Sequence, residues 1–336
     1  MTSGILGNPM HSAPNTARAF WVLAPGRGEL REEPLPDRKP GDVLVRALFS
    51  GVSRGTEALV FTGRVPASQQ TAMRAPFQAG EFPGPVKYGY INVGRIEDGP
   101  AERIGQHVFC LYPHQDLYRV PGTAATPLPE GLPPERAVLA ANMETAVNAC
   151  WDAAPLAGDR ILVIGGGVLG LLTAWLCSRV PGTEVTLVDT QPRRGPVAMA
   201  LGLEFRDAPV DEMNADLVIH ASGHPEGLVQ ALRAAAVEAT VVELSWYGDR
   251  MVSLPLGEAF HSRRLTLRSS QVGRIPAARA PRWDHARRMR LALELLRDDR
   301  LDRLVTGEDI FADLPQVMAR LAADPGDTLC HRVRYP

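Results

Sequence analysis

The sequence has little cysteine, and its thiols are widely spaced along 336 residues. They are Cys110, Cys150, Cys177 and Cys330, so none forms the Cys-x-x-Cys pair that is typical of zinc knuckles. The spacing and the length of the chain also argue against a disulfide framework. We therefore expect free thiols that are mostly buried.

Long apolar runs and a strong net charge are absent as well. No run of about 18 apolar residues occurs, so the sequence predicts no membrane span. A net charge of -2 gives no global attraction to nucleic acid or to an anionic membrane. Residues 1–17 lack the apolar core of a signal peptide, which predicts a flexible leader and, by default, a cytoplasmic protein.

What is present is typical of a soluble globular protein with room for two domains, since 45% of the residues are hydrophobic and 22% are charged. Short β-like runs between glycines and prolines fill the first part, at residues 20–23, 42–48, 90–96 and 105–110. A helix is predicted over residues 134–151, and strands then alternate with helices. This alternation predicts an α/β fold with a parallel, doubly wound sheet.

The second part of the chain carries these alternating elements. Strands are predicted at residues 160–164, 184–188, 216–220, 239–244 and 250–254, and helices at 168–180 and 225–236. Helices around residues 285–296 and 314–322 and a strand at 329–334 follow. The strand at 250–254 is predicted to lie at a sheet edge, where it would pair with a second copy.

A glycine-rich turn follows the first of these strands, with Gly165, Gly167 and Gly170 in a Gly-x-Gly-x-x-Gly pattern. The first glycine permits a tight turn, the second lets backbone approach a pyrophosphate, and the third lets the helix pack on the strand. The helix that begins with Val168 and Leu169 offers free N–H groups to the phosphates. The spacing therefore predicts a dinucleotide site.

Asp189 ends the next strand, about 20 residues on, where a carboxylate binds the adenosine ribose hydroxyls. A carboxylate there repels a 2′-phosphate and favours NAD. Arg193 and Arg194 follow closely and leave two alternatives open: they hold the phosphate of NADP, or they form a solvated basic turn. We expect NAD, with NADP as the alternative.

Four further segments carry a resemblance to a known family. They are residues 51–57 (Gly-Val-Ser-Arg-Gly-Thr-Glu), 88–96 (Tyr-Gly-Tyr-Ile-Asn-Val-Gly-Arg-Ile), 144–149 (Glu-Thr-Ala-Val-Asn-Ala) and 216–223. With the glycine turn they resemble the medium-chain dehydrogenases/reductases, the zinc-type alcohol dehydrogenases, over nearly the whole chain. The variant Ser-x-Gly-Thr-Glu resembles the bacteriochlorophyllide dehydrogenase branch.

The resemblance implies a domain organisation. Residues 1–142 are expected to form a GroES-like β-rich catalytic domain, and residues 143–272 a Rossmann dinucleotide-binding domain. Residues 273–336 are expected to return to the catalytic domain. The family also implies a homodimer and a substrate cleft between the domains.

The sequence departs from the family where the zinc ligands are expected. Ser53, Tyr90 and Ala141 fall at those positions, and the cysteine-rich lobe of the structural zinc is missing, with only Cys110 between residues 99 and 121. Catalytic zinc needs three nitrogen, sulfur or carboxylate ligands around an open position. We therefore expect no zinc.

Without a metal, a proton donor must stabilise the negative charge that develops on a carbonyl oxygen during hydride transfer. Tyr90 is expected to line the cleft as this donor, with the hydroxyl of Ser53 beside it. Lys87 and His114 are further catalytic candidates. The alternatives are a packed strand tyrosine, a surface lysine and a solvated loop histidine.

Other residues are expected to bind the cofactor or to orient groups that do. Arg54 is expected to hold the pyrophosphate, with Glu57 pairing to it, and Thr145 to touch the nicotinamide. Residues that follow the later strands are expected at the carboxyl edge of the sheet, where ligands bind: Ser222, Gly223, Ser245, Trp246 and Ser270. The arginine-rich segment 274–290 either recognises an anionic planar substrate or forms a solvated helix face.

These features predict a small-molecule substrate and leave more than one function open. The first is a zinc-independent oxidoreductase that transfers a hydride between NAD(H) and an alcohol or carbonyl. The alternatives are a reductase of activated C=C bonds, as in quinone and enoyl reductases, and a non-catalytic dinucleotide-binding protein.

Overall fold

A computed structural model describes residues 15–208, 210 and 212–336 of the chain. Most of the predicted leader, residues 1–14, lies outside the described residues, but its last two residues, Thr16 and Ala17, already belong to the first strand. None of the helices within the described residues combines the length and the apolar character needed to cross a bilayer.

The first part of the chain is a β-rich domain. Its strands are β1 (Thr16–Ala24), β2 (Arg27–Pro34), β3 (Asp42–Val52), β4 (Ala79–Gly80), β5 (Val86–Lys87), β6 (Asn92–Asp98), β7 (His107–Cys110), β8 (Leu117–Pro121) and β9 (Thr126–Pro127). One helix, α1 (Arg54–Phe61), follows β3 directly. Strand β3 pairs with β6, β8 and the last strand of the chain, and most of its residues are buried.

A connecting region leads into the second domain. The predicted helix over residues 134–151 is two helices, α2 (Pro134–Ala137) and α3 (Ala140–Ala153). The backbone leaves the helical hydrogen-bond pattern between them, and the chain turns there so that both helices bury their apolar faces. Leu139 and Ala140 are fully buried at this junction.

The second domain is a six-stranded parallel sheet with helices on its faces. Its elements are β10 (Arg160–Ile164), α4 (Val168–Cys177), β11 (Glu184–Val188), α5 (Arg194–Ala200), β12 (Glu204–Arg206), β13 (Ala215–His220), α6 (Pro225–Ala234), β14 (Ala235–Glu243) and β15 (Thr266–Ser269). The strand order is β12-β11-β10-β13-β14-β15. The α/β class is confirmed, and the order reverses between β10 and β13, which is where doubly wound folds bind ligands.

The predicted edge strand at 250–254 is wrong, because those residues form no strand. The sheet ends instead at β15, whose four residues are all exposed. Residues 250–254 pair with no neighbouring strand, so their β-like sequence pattern is not sufficient to place them in the sheet.

The last part of the chain returns to the β-rich domain. It comprises α7 (His285–Leu295), β16 (Val305–Ile310), α8 (Leu314–Ala323) and β17 (Cys330–Arg334). Strand β17 pairs antiparallel with β3, and the larger sheet runs β16-β17-β3-β6-β7-β9 with β8 also paired to β3. The residue after β17, Tyr335, is consequently buried in the core of the β-rich domain.

One arginine of the basic segment 274–290 connects this last part to α3. Arg288 is 2% exposed, and its guanidinium contacts the Glu144 carboxylate at 3.1 Å, the Asn148 side-chain oxygen and the Val272 carbonyl. Arg288 therefore joins α7 to α3 inside the protein. The other arginines of the segment are exposed, as expected for a solvated face: Arg274, Arg279, Arg282, Arg287 and Arg290.

Candidate functional site

The glycine turn between β10 and α4 has three glycines with different surroundings. Gly165 has a φ of +109°, and a Cβ there would lie 2.6 Å from the Ser222 nitrogen. A Cβ on Gly170 would lie 1.8 Å from the Gly165 oxygen. Only Gly167 faces open space, with no atom within 4 Å of a Cβ built there. The first and third glycines are therefore needed by the fold, and the second keeps space clear beside the turn.

Helix α4 points its N-terminus at that open space. Gly167 is the N-cap residue, with φ of -70° and ψ of 175°, and no side chain caps the helix. The first N–H groups of a helix have no intrahelical acceptor, so those of Val168 and Leu169, which are half-buried, remain available to an anion. The geometry fits a pyrophosphate.

Asp189 lies at the end of β11, beside this turn. Its carboxylate accepts the Gly166 N–H at 2.6 Å and the Gln191 N–H at 2.8 Å. A carboxylate accepts about four hydrogen bonds, so two backbone donors leave capacity for ribose hydroxyls. The turn thus fixes the orientation of the carboxylate that a bound adenosine ribose would meet.

Two arginines from different domains meet next to Asp189. Burial, and then the nearby Arg194, lower the pKa of Arg54, while Asp189 acts in the opposite direction. Both guanidiniums donate to one stretch of backbone, the C-terminal loop (residues 324–328): Arg54 to the Thr328 oxygen at 2.5 Å and Arg194 to the Asp327 oxygen at 2.6 Å. This loop and residues 190–193 line a shallow cleft.

The contacts of Arg54 correct one prediction. Glu57 does not pair with Arg54; its carboxylate accepts the Ser53 N–H at 2.8 Å and contacts His114. The reason is the direction of α1: Arg54 and Glu57 begin the same short helix, but Glu57 points into the core and is 3% exposed.

Ser53 and Tyr90, which the resemblance assigns to zinc-ligand positions, contact each other. The Tyr90 hydroxyl donates to the Ser53 Oγ at 2.5 Å, and both side chains are half-buried. Burial, followed by the nearby Glu57, raises the pKa of Tyr90 to about 12, although hydrogen bonds with Ser53 and Thr56 act in the opposite direction. Tyr90 therefore carries its proton at neutral pH and donates it as a hydrogen bond to Ser53.

The third position, Ala141, lies in the buried cluster against which Tyr90 packs. A hydroxyl, a phenol and a methyl group do not supply the nitrogen, sulfur or carboxylate ligands that zinc needs, so these residues do not fit the metal. Within residues 15–208, 210 and 212–336, no group of three or more His, Cys, Asp or Glu side chains is placed to hold a metal ion.

His114 lies behind this pair and is not a solvated loop histidine. It is fully buried, with Nε2 2.8 Å from the Glu57 carboxylate and Nδ1 2.7 Å from the Ser50 Oγ. The Ser50 Oγ also contacts the Tyr335 hydroxyl at 3.1 Å. His114 is therefore enclosed by Glu57 and Ser50, and Glu57 connects it to the Ser53 N–H.

Lys87 and Thr145 are each bound to groups outside the Ser53–Tyr90 pair. Lys87 is buried rather than on the surface, and its ammonium donates to the carboxylate of Glu33 and to the Gln115 side-chain oxygen at 2.8 Å. Thr145 donates its hydroxyl to the Ala141 oxygen one turn earlier in α3. The structure thus separates Lys87 from the predicted proton donor.

The later strands bring only some of the predicted cofactor residues to the glycine turn. Ser222 and Gly223 are next to it, and the Gly223 N–H donates to the Ser245 Oγ at 3.1 Å. Trp246 packs against the core cluster of the β-rich domain, and Ser270 donates to the Asp152 carboxylate at 2.7 Å. The side chains of Trp246 and Ser270 therefore connect structural elements to each other.

Besides the predicted site residues, the structure contains a set of polar groups that the sequence did not predict. Ser50, Tyr335, His220 and Glu243 are at least partly buried and hydrogen-bonded near the predicted site. The sequence gives little indication of the Ser50–Tyr335 contact, because the two residues are 285 positions apart. His220 and Glu243 were detectable only as charged ends of two apolar strands.

Comparisons with known proteins agree with this geometry. The family of NAD(P)-binding Rossmann-like domains matches residues 163–221, which contain the glycine turn and Asp189. The D-guloside 3-dehydrogenase of Escherichia coli K12 is 24% identical over 310 residues, covering 82% of this chain and 87% of that protein. An alcohol dehydrogenase of Cupriavidus necator H16 is 24% identical, covering 92% and 98% respectively.

Solved structures extend the similarity to the whole fold. The L-idonate 5-dehydrogenase of Escherichia coli K-12 superposes with a TM-score of 0.78 at 16% identity, covering 95% of this chain and 98% of that one. The chain therefore has the fold of this dehydrogenase over 95% of its length, with an NAD(P)-binding Rossmann-like region at residues 163–221.

Proposed function

We propose that this protein is an NAD(H)-dependent oxidoreductase that interconverts an alcohol and a carbonyl compound. The supporting observation is the hydrogen bond between Tyr90 and Ser53, two residues that the family resemblance assigns to metal-ligand positions. The glycine turn, the free N-terminus of α4 and Asp189 supply a dinucleotide site. The similarity to curated dehydrogenases supports the same reaction class.

The chemistry follows from charge. A hydride that leaves reduced nicotinamide for a carbonyl carbon produces an alkoxide, which a positioned donor must stabilise and protonate. The Ser53 hydroxyl gives its proton to the alkoxide and takes the Tyr90 proton along the hydrogen bond between them, and solvent then returns a proton to the Tyr90 oxygen. In the oxidative direction Tyr90 first loses its proton to solvent, and the alcohol proton passes to Ser53 while the Ser53 proton passes to Tyr90.

The proposal includes independence from zinc. It rests on the donor set, since Ser53, Tyr90 and Ala141 offer no strong zinc ligand. Neither cofactor binding nor hydride transfer requires the metal if the Tyr90 phenol, through Ser53, stabilises the charge on the substrate oxygen. We also propose, from residues 53–57, that the chain is related to the bacteriochlorophyllide dehydrogenase branch.

We expect chelator-washed protein to reduce a carbonyl compound with NADH, and Tyr90→Phe to lower kcat by about a hundredfold or more because it removes a general acid. The measurement is a panel of alcohols, ketones, quinones and enoates with each cofactor, alongside metal analysis. Tyr112→Phe, which removes a buried hydroxyl elsewhere in the β-rich domain, is the matched control. Unchanged turnover in Tyr90→Phe, or activity that returns only with stoichiometric zinc, would contradict the mechanism.

Cofactor preference is a separate prediction. Asp189→Ala is expected to weaken NAD binding and to shift the NAD-to-NADP affinity ratio about tenfold or more toward NADP, because the carboxylate that repels a 2′-phosphate is gone. Equilibrium titration of both cofactors measures this ratio. Asp207→Ala, an exposed carboxylate beyond β12, should leave it unaltered. The same ratio in Asp189→Ala and wild type would remove Asp189 from cofactor selection.

A further inference from the structure

A chain of three side chains crosses the carboxyl edge of the Rossmann sheet outside the Ser53–Tyr90 pair. His220 and Glu243 end the neighbouring parallel strands β13 and β14 and are paired in register. The His220 Nδ1 lies 2.7 Å from the Glu243 carboxylate, and its Nε2 lies 2.6 Å from the Ser222 Oγ. The histidine is fully buried between these two groups.

The partners of Glu243 set the direction of these hydrogen bonds. Besides His220, its carboxylate accepts the Ser245 N–H at 2.6 Å and the Tyr247 hydroxyl at 3.0 Å. An ionised carboxylate only accepts, so the His220 Nδ1 carries the proton and donates it. When His220 is neutral, its Nε2 accepts the Ser222 hydroxyl. The Ser222 oxygen accepts the His224 N–H at 3.2 Å and keeps one lone pair for a further donor.

Ser222 lies in the crevice where the strand order reverses. Its backbone nitrogen is the atom that a Cβ on Gly165 would meet at 2.6 Å, and its Oγ lies against Gly227 of α6. Asp189 lies on the other side of β10, at the end of β11. A dinucleotide whose pyrophosphate meets the glycine turn, and whose adenosine ribose meets Asp189, extends its nicotinamide half toward Ser222.

The charges that face His220 are few. Strand β14 contributes Glu243, the loop after β14 contributes Tyr247, and α6 contributes the uncharged Gly227. Strand β10 contributes Ile164, which is paired with His220 in register. Burial and then Glu243 raise the pKa of Tyr247, while Arg250, also in the loop after β14, lowers it, and His224 is exposed at the start of α6. The His220–Glu243 pair itself carries a charge of -1 with neutral imidazole and 0 with imidazolium.

We propose that Ser222, His220 and Glu243 form a proton-responsive contact to the nicotinamide half of the cofactor, with Ser222 binding a ribose hydroxyl and His220 and Glu243 as positioning residues. This inference rests on the proposed dinucleotide function. Oxidised nicotinamide is a cation and reduced nicotinamide is neutral, so the pair's negative charge favours the oxidised form. Protonation of His220 cancels that charge and reverses the polarity of the Ser222 hydroxyl.

The test is a pair of calorimetric titrations, NAD⁺ and NADH into the intact protein, at several pH values between 5.5 and 8.5. Histidine is the side chain that changes charge in this range. In the wild type, the ratio of Kd for NAD⁺ to Kd for NADH is expected to rise about three- to tenfold as the pH falls, since a screened charge interaction across the crevice is lost. His220→Gln should show a flat ratio. His224→Gln, the exposed neighbour, should keep the wild-type slope.

Ser222→Ala separates the two parts of the proposal, because it removes the ribose contact and keeps the charged pair. It should weaken both cofactors at every pH and retain the slope. A flat ratio in the wild type, or an unchanged slope in His220→Gln, would overturn the proposal. Failure of the dinucleotide function itself looks different: neither cofactor binds the wild type at any pH, and the proposal falls with it.

Discussion

A Gly167→Asp variant is expected to fold as well as the wild type and to bind NAD(H) at least about a hundredfold more weakly. The backbone at this position has φ of -70° and ψ of 175°, which any residue adopts, and a Cβ there meets no atom within 4 Å. Aspartate is a favourable N-cap, so the free energy of unfolding should be unchanged or slightly raised. The loss of binding has an electrostatic cause, because the carboxylate occupies the anion site of α4 and repels the pyrophosphate by about 4 kcal/mol at contact.

Gly167→Ala and Gly170→Ala are the matched comparisons. The first adds a methyl group to the open space and should weaken binding less than the aspartate, with unchanged stability. The second places a Cβ 1.8 Å from the Gly165 oxygen, so it should destabilise the fold itself. Chemical denaturation and cofactor titration on all three proteins measure the two quantities separately. Wild-type affinity in Gly167→Asp would show that no phosphate binds at this turn.

Arg288→Ala is expected to lower the free energy of unfolding by about 3–5 kcal/mol, the usual cost of leaving a buried partner charge uncompensated. The guanidinium is 2% exposed, and Glu144, its partner on α3, is 6% exposed. The substitution also removes the donors to Asn148 and to the Val272 carbonyl, so α7 would lose its polar attachment to α3. Urea denaturation at pH 7 measures the loss, and Arg290→Ala, an exposed arginine on the same helix, should cost only about 0.5 kcal/mol.

The pH dependence identifies the buried charge as the cause. Burial raises the pKa of Glu144 in the folded protein, and Arg288 opposes that rise. Without Arg288 the pKa rises further, so the folded variant binds a proton more readily than the unfolded chain. The difference in stability should therefore shrink as the pH falls below the folded-state pKa and grow as the pH rises through it. Glu144→Gln should restore part of the stability in the double variant. A loss that is equal at all pH values would indicate packing rather than charge.

Local patterns in the sequence were sufficient for the dinucleotide half of the site. The spacing of Gly165, Gly167 and Gly170, together with Asp189 at the next strand end, depends on steric and hydrogen-bonding rules that operate within about 25 residues. The same locality explains why the strands of the parallel sheet were predicted closely. They are short apolar runs buried on both faces, and their length and flanking turns mark them.

The strand predicted at residues 250–254 shows the limit of such patterns. An edge strand exists only if a neighbour supplies its hydrogen bonds, and here β15 occupies the edge. The split of residues 134–151 into α2 and α3 has a similar origin, since packing decides where the chain turns. Helical spacing alone did not reveal the turn.

Side-chain contacts between distant residues could not be predicted from the sequence, for a different reason. The sequence placed Glu57 beside Arg54 because they are three positions apart, but the fold turned Glu57 inward to His114. Lys87, Ser270 and Arg288 were assigned to the cleft or the surface by their chemistry, yet each satisfies a buried partner. Burying a charge without a partner is costly, so the tertiary structure recruits partners wherever packing brings them.

The sequence by itself predicted a dinucleotide site at the glycine turn and a replacement of the zinc ligands of the family that it resembles, because both predictions rest on residue type at fixed spacing. The tertiary structure alone decided what the replacements do. It joined Ser53 to Tyr90 across 37 positions and aligned His220 with Glu243 at one sheet edge. Such contacts depend on how strands from distant parts of the chain are registered, and register is fixed only when the hydrophobic faces of all the elements are buried together.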